Sequence, residues 1–131
     1  MDRLSERLRV ARQALETFQA ALREPKTAMN RDACIQRFEY THEAVWKAAQ
    51  LYLRINENLE LASPTAVGRA CFRSALLSEE QGRTALSMAR DRNLTVHTYN
   101  QELADQIYSR LAGYAALMDG WLAALASPLR P

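Results

Sequence analysis

Glycine and proline are scarce in this chain, with four of each among 131 residues. Few residues are therefore available for tight turns, which favours long helices over many short strands. Hydrophobic residues make up 48% and charged residues 24%, ordinary values for a folded domain. This composition excludes a disordered tail, a collagen and a disulfide scaffold, and the length fits one domain over residues 1–131.

Cysteine and histidine are rarer still, with two of each. Cys34 and Cys71 form no Cys-x-x-Cys pair, so we expect reduced, buried thiols. Two histidines supply too few ligands for most metal sites, and we expect no metal and no other cofactor. Glu39 and His42 form one Glu-x-x-His, half of a di-iron bundle site, but no carboxylate stands three positions before His97. We therefore expect His42 to pack beside the apolar stripe of its helix with one nitrogen satisfied.

No charge of one sign dominates, because 17 basic side chains face 15 acidic ones. A net charge of +2 is too small to imply nucleic-acid binding by bulk charge. Almost all of the basic residues are arginines, which make better bidentate phosphate contacts than lysines. The sequence has no run of about 18 apolar residues and no apolar signal-peptide core at its start, so we expect a cytoplasmic protein that does not enter a membrane.

Apolar residues recur at spacings of three and four in several segments, as in amphipathic helices. Ser63-Pro64 is a strong helix start, and Ser78 with Gln81 forms a capping box. Five helices are predicted, over about 2–23, 30–55, 63–77, 78–92 and 98–126. Without any strand pattern, the predicted fold is all-α: an antiparallel up-down bundle of four to five helices.

Residues 90–100 (RDRNLTVHTYN) concentrate polar side chains between two predicted helices. On a continuous helix, Arg92 and His97 would lie roughly 140° apart. Thr95 and Val96 are weak helix formers, and a break or turn at about residues 94–96 could bring Arg92 and His97 to one surface. The start of the next helix would attract an anion there, and such side chains suit a phosphodiester. The stretch by itself also fits a capped loop with a surface histidine.

Three segments resemble one known family, the nucleotidyltransferase substrate-binding proteins of the HEPN superfamily. Residues 35–47 (IQRFEYTHEAVWK) look like the second helix of that family, and residues 92–99 (RNLTVHTY) look like its signature loop. Residues 63–73 resemble the helix between them, and the resemblance covers about 4–125. It implies a small helical bundle that usually forms a homodimer.

The resemblance also implies a site. Many HEPN proteins are metal-independent ribonucleases with an Arg-x4-6-His motif, here Arg92 and His97, with Asn93 as the polar residue after the arginine. The subgroup with His-x-Tyr resembles HepT toxins, which are encoded beside a minimal nucleotidyltransferase antitoxin that transfers AMP to the tyrosine, here Tyr99. To the binding groove beside this motif we assign Arg37, Glu39, Tyr40, Trp46 and Lys47.

Two functions from different classes follow from the resemblance. The first is an enzyme, a toxin that cleaves RNA and is silenced by AMPylation of Tyr99. The second is a non-catalytic subunit that presents substrate to a nucleotidyltransferase. A helical oligomerisation protein is a third reading, but the presence of Arg92, Asn93, His97 and Tyr99 favours the first two. The sequence decides little between these, and the toxin is the preferred interpretation.

Overall fold

A computed structural model describes residues 2–98 and 100–127. The described residues form an all-α bundle, as predicted. The helices are α1 (Arg3–Arg23), α2 (Ala28–Glu57), α3 (Pro64–Arg73), α4 (Glu79–His97) and α5 (Gln101–Ala126).

Every helix begins at a side chain that caps it. A side-chain oxygen of each N-cap residue accepts a hydrogen bond from a backbone amide three positions later, which satisfies one of the free N–H groups of the first turn. The caps are Asp2, Thr27, Ser63, Ser78 and Asn100. The capping box is confirmed, because the Gln81 amide donates to Ser78 Oγ at 3.1 Å and the Ser78 amide donates to Gln81 Oε1 at 2.8 Å.

Two predicted helix ends are wrong. α3 ends at Arg73 rather than near Leu77, because Ala75 takes a left-handed conformation (φ 62°) and the amides of Leu76 and Leu77 both bond back to the Cys71 carbonyl. α4 does not end near residues 91–92 but continues to His97. The intrinsic propensities of Thr95 and Val96 are thus overridden by their surroundings.

The helices α1, α2 and α5 pack together, and the pair α3–α4 covers one side of α2 and α5. Phe38 of α2 stacks on Tyr114 of α5, and Phe18 of α1 lies against Phe38, at centroid distances of 5.5 and 6.2 Å. The consecutive pairs α1–α2, α3–α4 and α4–α5 run antiparallel. α2 runs parallel to α5, since Arg31 meets Asp105 and Phe38 meets Tyr114. Cys34 and Cys71 are buried, as expected.

A buried carboxylate joins α4 to α5. Asp91 is only 2% exposed, and it accepts hydrogen bonds from Arg110 Nε (2.7 Å), Arg110 Nη2 (3.0 Å) and the Tyr114 hydroxyl (2.6 Å). Ser87 Oγ lies 2.8 Å from the same hydroxyl. The charge of Asp91 is therefore fully compensated, and the network fixes which face of α4 points inward.

None of the helices in the described ranges combines the length and the apolar character that crossing a membrane requires.

Replacing Asp91 with alanine should destabilise the fold by about 2 to 3 kcal/mol, because the Tyr114 hydroxyl and the Arg110 guanidinium both lose a charged acceptor. Urea unfolding measures the effect. The matched control is Asp119→Ala, which removes an exposed ion pair with Arg12 and should cost less than about 1 kcal/mol. Equal losses in the two variants would contradict the structural role of Asp91.

Candidate functional site: the Arg92 groove

A groove of about 420 Å³ lies where α2, the start of α3 and α4 meet, and we call it the Arg92 groove. Its polar and aromatic lining comes from all three helices. The lining residues are His42, Glu43, Trp46, Pro64, Thr65, Leu86, Ala89, Arg90, Arg92 and Asn93. Arg92, Asn93 and Trp46, three residues assigned from the sequence, are thus brought together.

The position of Arg92 follows from the burial of Asp91. Successive residues on an α-helix are rotated by about 100°, so the inward direction of Asp91 turns Arg92 and Asn93 toward the groove. Arg92 is half-buried, and within the described residues neither it nor Arg90 makes a salt bridge. Two guanidinium groups are therefore available to an anion in this groove.

The wall of the groove on α2 contains a pre-oriented carboxylate. The Trp46 indole Nε1–H donates to Glu43 Oε1 at 3.1 Å, and Lys47 Nζ lies 3.7 Å from Glu43 Oε2. The same Nζ sits 5.2 Å from the centroid of the Trp46 ring. Both carboxylate oxygens of Glu43 are thus engaged by Trp46 and Lys47. Glu43 therefore competes less with a bound anion for the Arg92 guanidinium.

His42 is buried at the base of this groove, 2% exposed, as the sequence predicts. Its ring stacks on Phe38 at 5.9 Å between centroids, and its Nδ1 has no hydrogen-bond partner among the described residues. Burial, reinforced by the charge of Arg92, lowers the pKa of His42 to about 4 from 6.5, although Glu43 acts in the opposite direction. His42 is therefore a neutral imidazole at pH 7.

His97 is not in this groove. The break considered at residues 94–96 is absent, because α4 is continuous to His97. The single hydroxyl hydrogen of Thr95 has acceptors both within the helix and across on α2, since Oγ1 lies 2.8 Å from the Arg92 carbonyl oxygen and 2.5 Å from Glu39 Oε2. His97 is exposed in the last turn of α4, about 140° around the helix from Arg92, so one chain does not place both on one surface.

A second groove of about 490 Å³ lies on the other side of Thr95, between α2, the end of α4 and α5. Glu39 lines this groove rather than the Arg92 groove, together with Thr98 and Asn100. The two halves of the Glu39-x-x-His42 motif therefore open into different grooves. Within the described residues there is no group of three or more side chains suited to hold a metal ion.

The remaining residues assigned from the sequence are dispersed. Tyr40 is 58% exposed and accepts a hydrogen bond from Gln36 Nε2 at 3.2 Å. Arg37 is also exposed, one residue away from the buried Phe38. Lys47 lies beside the groove through its contact with Trp46. Tyr99 lies outside the described residues.

Sequence reasoning missed several members of the site. Arg90 and Thr65 line the Arg92 groove, and Asp91 orients it. One signal could have identified Asp91. Positions 85, 88 and 91 are spaced by three, so on a helix Asp91 lies on the same inward face as Ala85 and Met88, which are both buried.

The family model for nucleotidyltransferase substrate-binding-like proteins matches residues 6–127. The chain therefore belongs to this family. A protein of Thermus thermophilus, known from its crystal structure, is 50% identical, and the match covers 89% of this chain and 99% of that one with a TM-score of 0.85. A search of curated proteins finds no significant match. The family name implies association with a nucleotidyltransferase.

The buried imidazole makes the stability of this family member depend on pH. Since the pKa of His42 falls from 6.5 in the unfolded chain to about 4 in the fold, only the unfolded chain gains that proton between these values. The free energy of unfolding should decrease by roughly 3 kcal/mol as the pH falls from 6.5 to 4, beyond what other groups contribute. In His42→Phe this component should disappear.

Urea unfolding of wild type, His42→Phe and His97→Ala at a series of pH values measures the difference. His97 is exposed, so its variant is the control and should follow the wild type. If His42→Phe loses stability with falling pH as steeply as the wild type does, His42 is not the group responsible.

Proposed function

We propose that this protein is a HepT-like, metal-independent ribonuclease, partnered and silenced by a minimal nucleotidyltransferase. The observation that carries the proposal is the Arg92 groove. Arg90 and Arg92 make no salt bridge within the described residues and line it together with Asn93. Charge-assisted hydrogen bonds from such guanidinium groups suit the non-bridging oxygens of a phosphodiester. Residues 92–99 resemble the Arg-x4-His-x-Tyr motif, and this resemblance supports RNA cleavage and AMP transfer to the tyrosine as the reactions involved.

The reaction requires a base, an acid and charge stabilisation at phosphorus. One imidazole removes the proton of the 2′-hydroxyl, the O2′–P bond forms and the P–O5′ bond breaks. A second imidazole gives its proton to the leaving 5′-oxygen, which produces a 2′,3′-cyclic phosphate. The ordinary pKa of histidine, near 6.5, permits both roles.

Because one chain carries a single exposed histidine, an imidazole acid and an imidazole base would come from two copies. A symmetric homodimer would bring two His97 side chains to one cleft. The separation of Arg92 from His97 on α4 agrees with a site that is completed across such an interface. Arg92 would then hold the phosphate, and Asn93 would orient the phosphate or His97.

The silencing step is the transfer of AMP to Tyr99 by the partner enzyme. The tyrosine oxygen bonds to the α-phosphorus of ATP, the bond from that phosphorus to the bridging oxygen breaks, and pyrophosphate leaves with the tyrosine proton passing to solvent. An adenylyl group two residues from His97 adds bulk and negative charge, which would repel RNA.

A second candidate function is a non-catalytic subunit that binds substrate for a nucleotidyltransferase. The continuity of α4 favours this candidate, because a single chain presents the Arg92 groove without His97. In this case the groove binds its ligand and the partner supplies all of the chemistry.

Cleavage of labelled RNA in EDTA tests the first function. Wild type should cut and leave 2′,3′-cyclic phosphate ends, and His97→Ala should lose roughly 100-fold or more in rate, since it removes the acid–base group. Arg92→Gln should also lose activity, whereas Arg83→Gln on the exposed face of α4 should not.

Mixing reports on the second copy. Wild type and His97→Ala are mixed in equal amounts, and their subunits are allowed to exchange. If both imidazoles are needed, the mixture should show about one quarter of the activity of wild type at the same total protein concentration, because only a quarter of the dimers keep both histidines. An activity of one half would contradict the shared site. Absence of cleavage by an unmodified wild type would favour the binding subunit.

Mass spectrometry tests the silencing step. After co-expression with an adjacent nucleotidyltransferase, the chain should gain one adenylyl group located on Tyr99, and the modified protein should not cleave RNA. Tyr99→Phe is the control, which should stay unmodified and active. An adenylyl group on another residue, or none at all, would contradict the proposed regulation.

A further inference from the structure

Three grooves follow one another along α2, and each borders the next at a shared lining residue. The Arg92 groove shares Glu43 with a groove between α1 and α2 that is also lined by Lys47. That groove shares Arg7 with a third groove, of about 340 Å³, at the start of α1 and the end of α2. We call the whole path the basic track.

The basic track is where the positive charge of the chain is concentrated. Of the 17 basic residues six line it, but only three of the 15 acidic residues do. Two of these acids are already engaged, Glu43 by Lys47 and Trp46, and Glu6 by Arg9. The six cationic residues are Arg3, Arg7, Lys47, Arg54, Arg90 and Arg92.

The far end of the track gathers three of its six cationic side chains. Arg3, Arg7 and Arg54 line the third groove, and none of them forms an ion pair within the described residues. Glu60 is the acidic residue of this groove. Three guanidinium groups gathered without carboxylate partners repel one another, so an anion that bridges them is favoured.

The spacing along α2 gives the path the length of an extended ligand. Glu43 and Arg54 are eleven positions apart on α2, which corresponds to about 16 Å along the helix axis. A single phosphate would occupy only one end of such a path, whereas several successive phosphates of one strand would reach from Arg92 to Arg54.

We propose that the basic track binds the backbone of single-stranded RNA, with one phosphate at Arg92 and neighbouring phosphates at Arg7, Arg3 and Arg54. This inference rests on the proposed ribonuclease function and names the path of its substrate. RNA is favoured over an acidic protein surface because the track includes the Arg92 groove, which borders the next groove at Glu43 and where the same strand would be cut. Contacts to phosphates alone imply little preference for sequence.

Binding is measured on the full chain with His97→Ala, so that no cleavage interferes. The probe is a short fluorescent single-stranded RNA, followed by anisotropy at several salt concentrations. In this background the track variant is Arg3→Gln/Arg7→Gln/Arg54→Gln. The matched control, Arg23→Gln/Arg69→Gln/Arg73→Gln, removes the same charge from exposed positions elsewhere.

The track variant should bind roughly tenfold or more weakly, and the slope of log K against log salt should decrease by about 2, since each lost phosphate contact removes about 0.7 for a single strand. The control should bind within about twofold of its parent, since it keeps every phosphate contact. Replacing the same three arginines by lysine should restore the slope, because the charges return, and this variant also shows that the surface tolerates substitution.

Equal affinity and slope in the track variant and the control would overturn the proposal. So would an absence of RNA binding by the parent, or a loss of nucleotidyltransferase binding in the track variant without loss of RNA binding. If the track variant shows the reduced salt slope but the wild type never cleaves RNA, the ribonuclease function is refuted and RNA binding by the basic track still stands. If the wild type cleaves RNA but the track variant binds RNA with normal affinity, the ribonuclease function stands and the basic track is refuted.

Discussion

The buried carboxylate of Asp91 is the contact on which the site depends. It neutralises Arg110, accepts the Tyr114 hydroxyl and so connects α4 to α5. The Tyr114 ring stacks on Phe38 of α2, and Phe38 in turn lies against His42 at the base of the Arg92 groove. A chain of direct contacts therefore runs from Asp91 through the core to the groove wall, and it sets both the rotation of α4 and the distance between the groove's two sides.

This constraint separates the two ends of the Arg-x4-His motif. With Asp91 inward, Arg92 and Asn93 turn to the groove, and the uninterrupted helix carries His97 to an exposed position on a different face. The site of one chain can therefore bind an anion, but it lacks an acid–base group of ordinary pKa, since burial and the charge of Arg92 keep His42 neutral. The proposed ribonuclease would therefore need a second copy to supply its acid–base group, whereas a subunit that only binds substrate for a nucleotidyltransferase would not.

Much of the bundle could be predicted from the sequence, because local signals decide it. Ser63-Pro64, the Ser78–Gln81 box and the apolar stripes fix helix starts and inward faces with few competing interactions. The end of α4 could not be predicted, since Thr95 is a weak helix former whose hydroxyl is satisfied by Glu39, a residue 56 positions away in the chain. Asp91 was missed for a similar reason: a carboxylate in a polar stretch reads as exposed until Arg110 and Tyr114 are known to face it. From the sequence, Glu39 and Trp46 were expected in one groove, and only the packing of α4 across α2 shows that they line two different grooves.

The central claim is that ligand binds in the Arg92 groove rather than in the larger groove beside Glu39. Nuclear magnetic resonance of isotope-labelled His97→Ala, titrated with a short single-stranded RNA, tests it directly. The largest chemical-shift changes should occur at Arg92, Asn93, Thr65 and the His42 ring, and extend along α2 toward Arg54. Changes confined to the groove between Met29, Thr98 and Ile107 would contradict it.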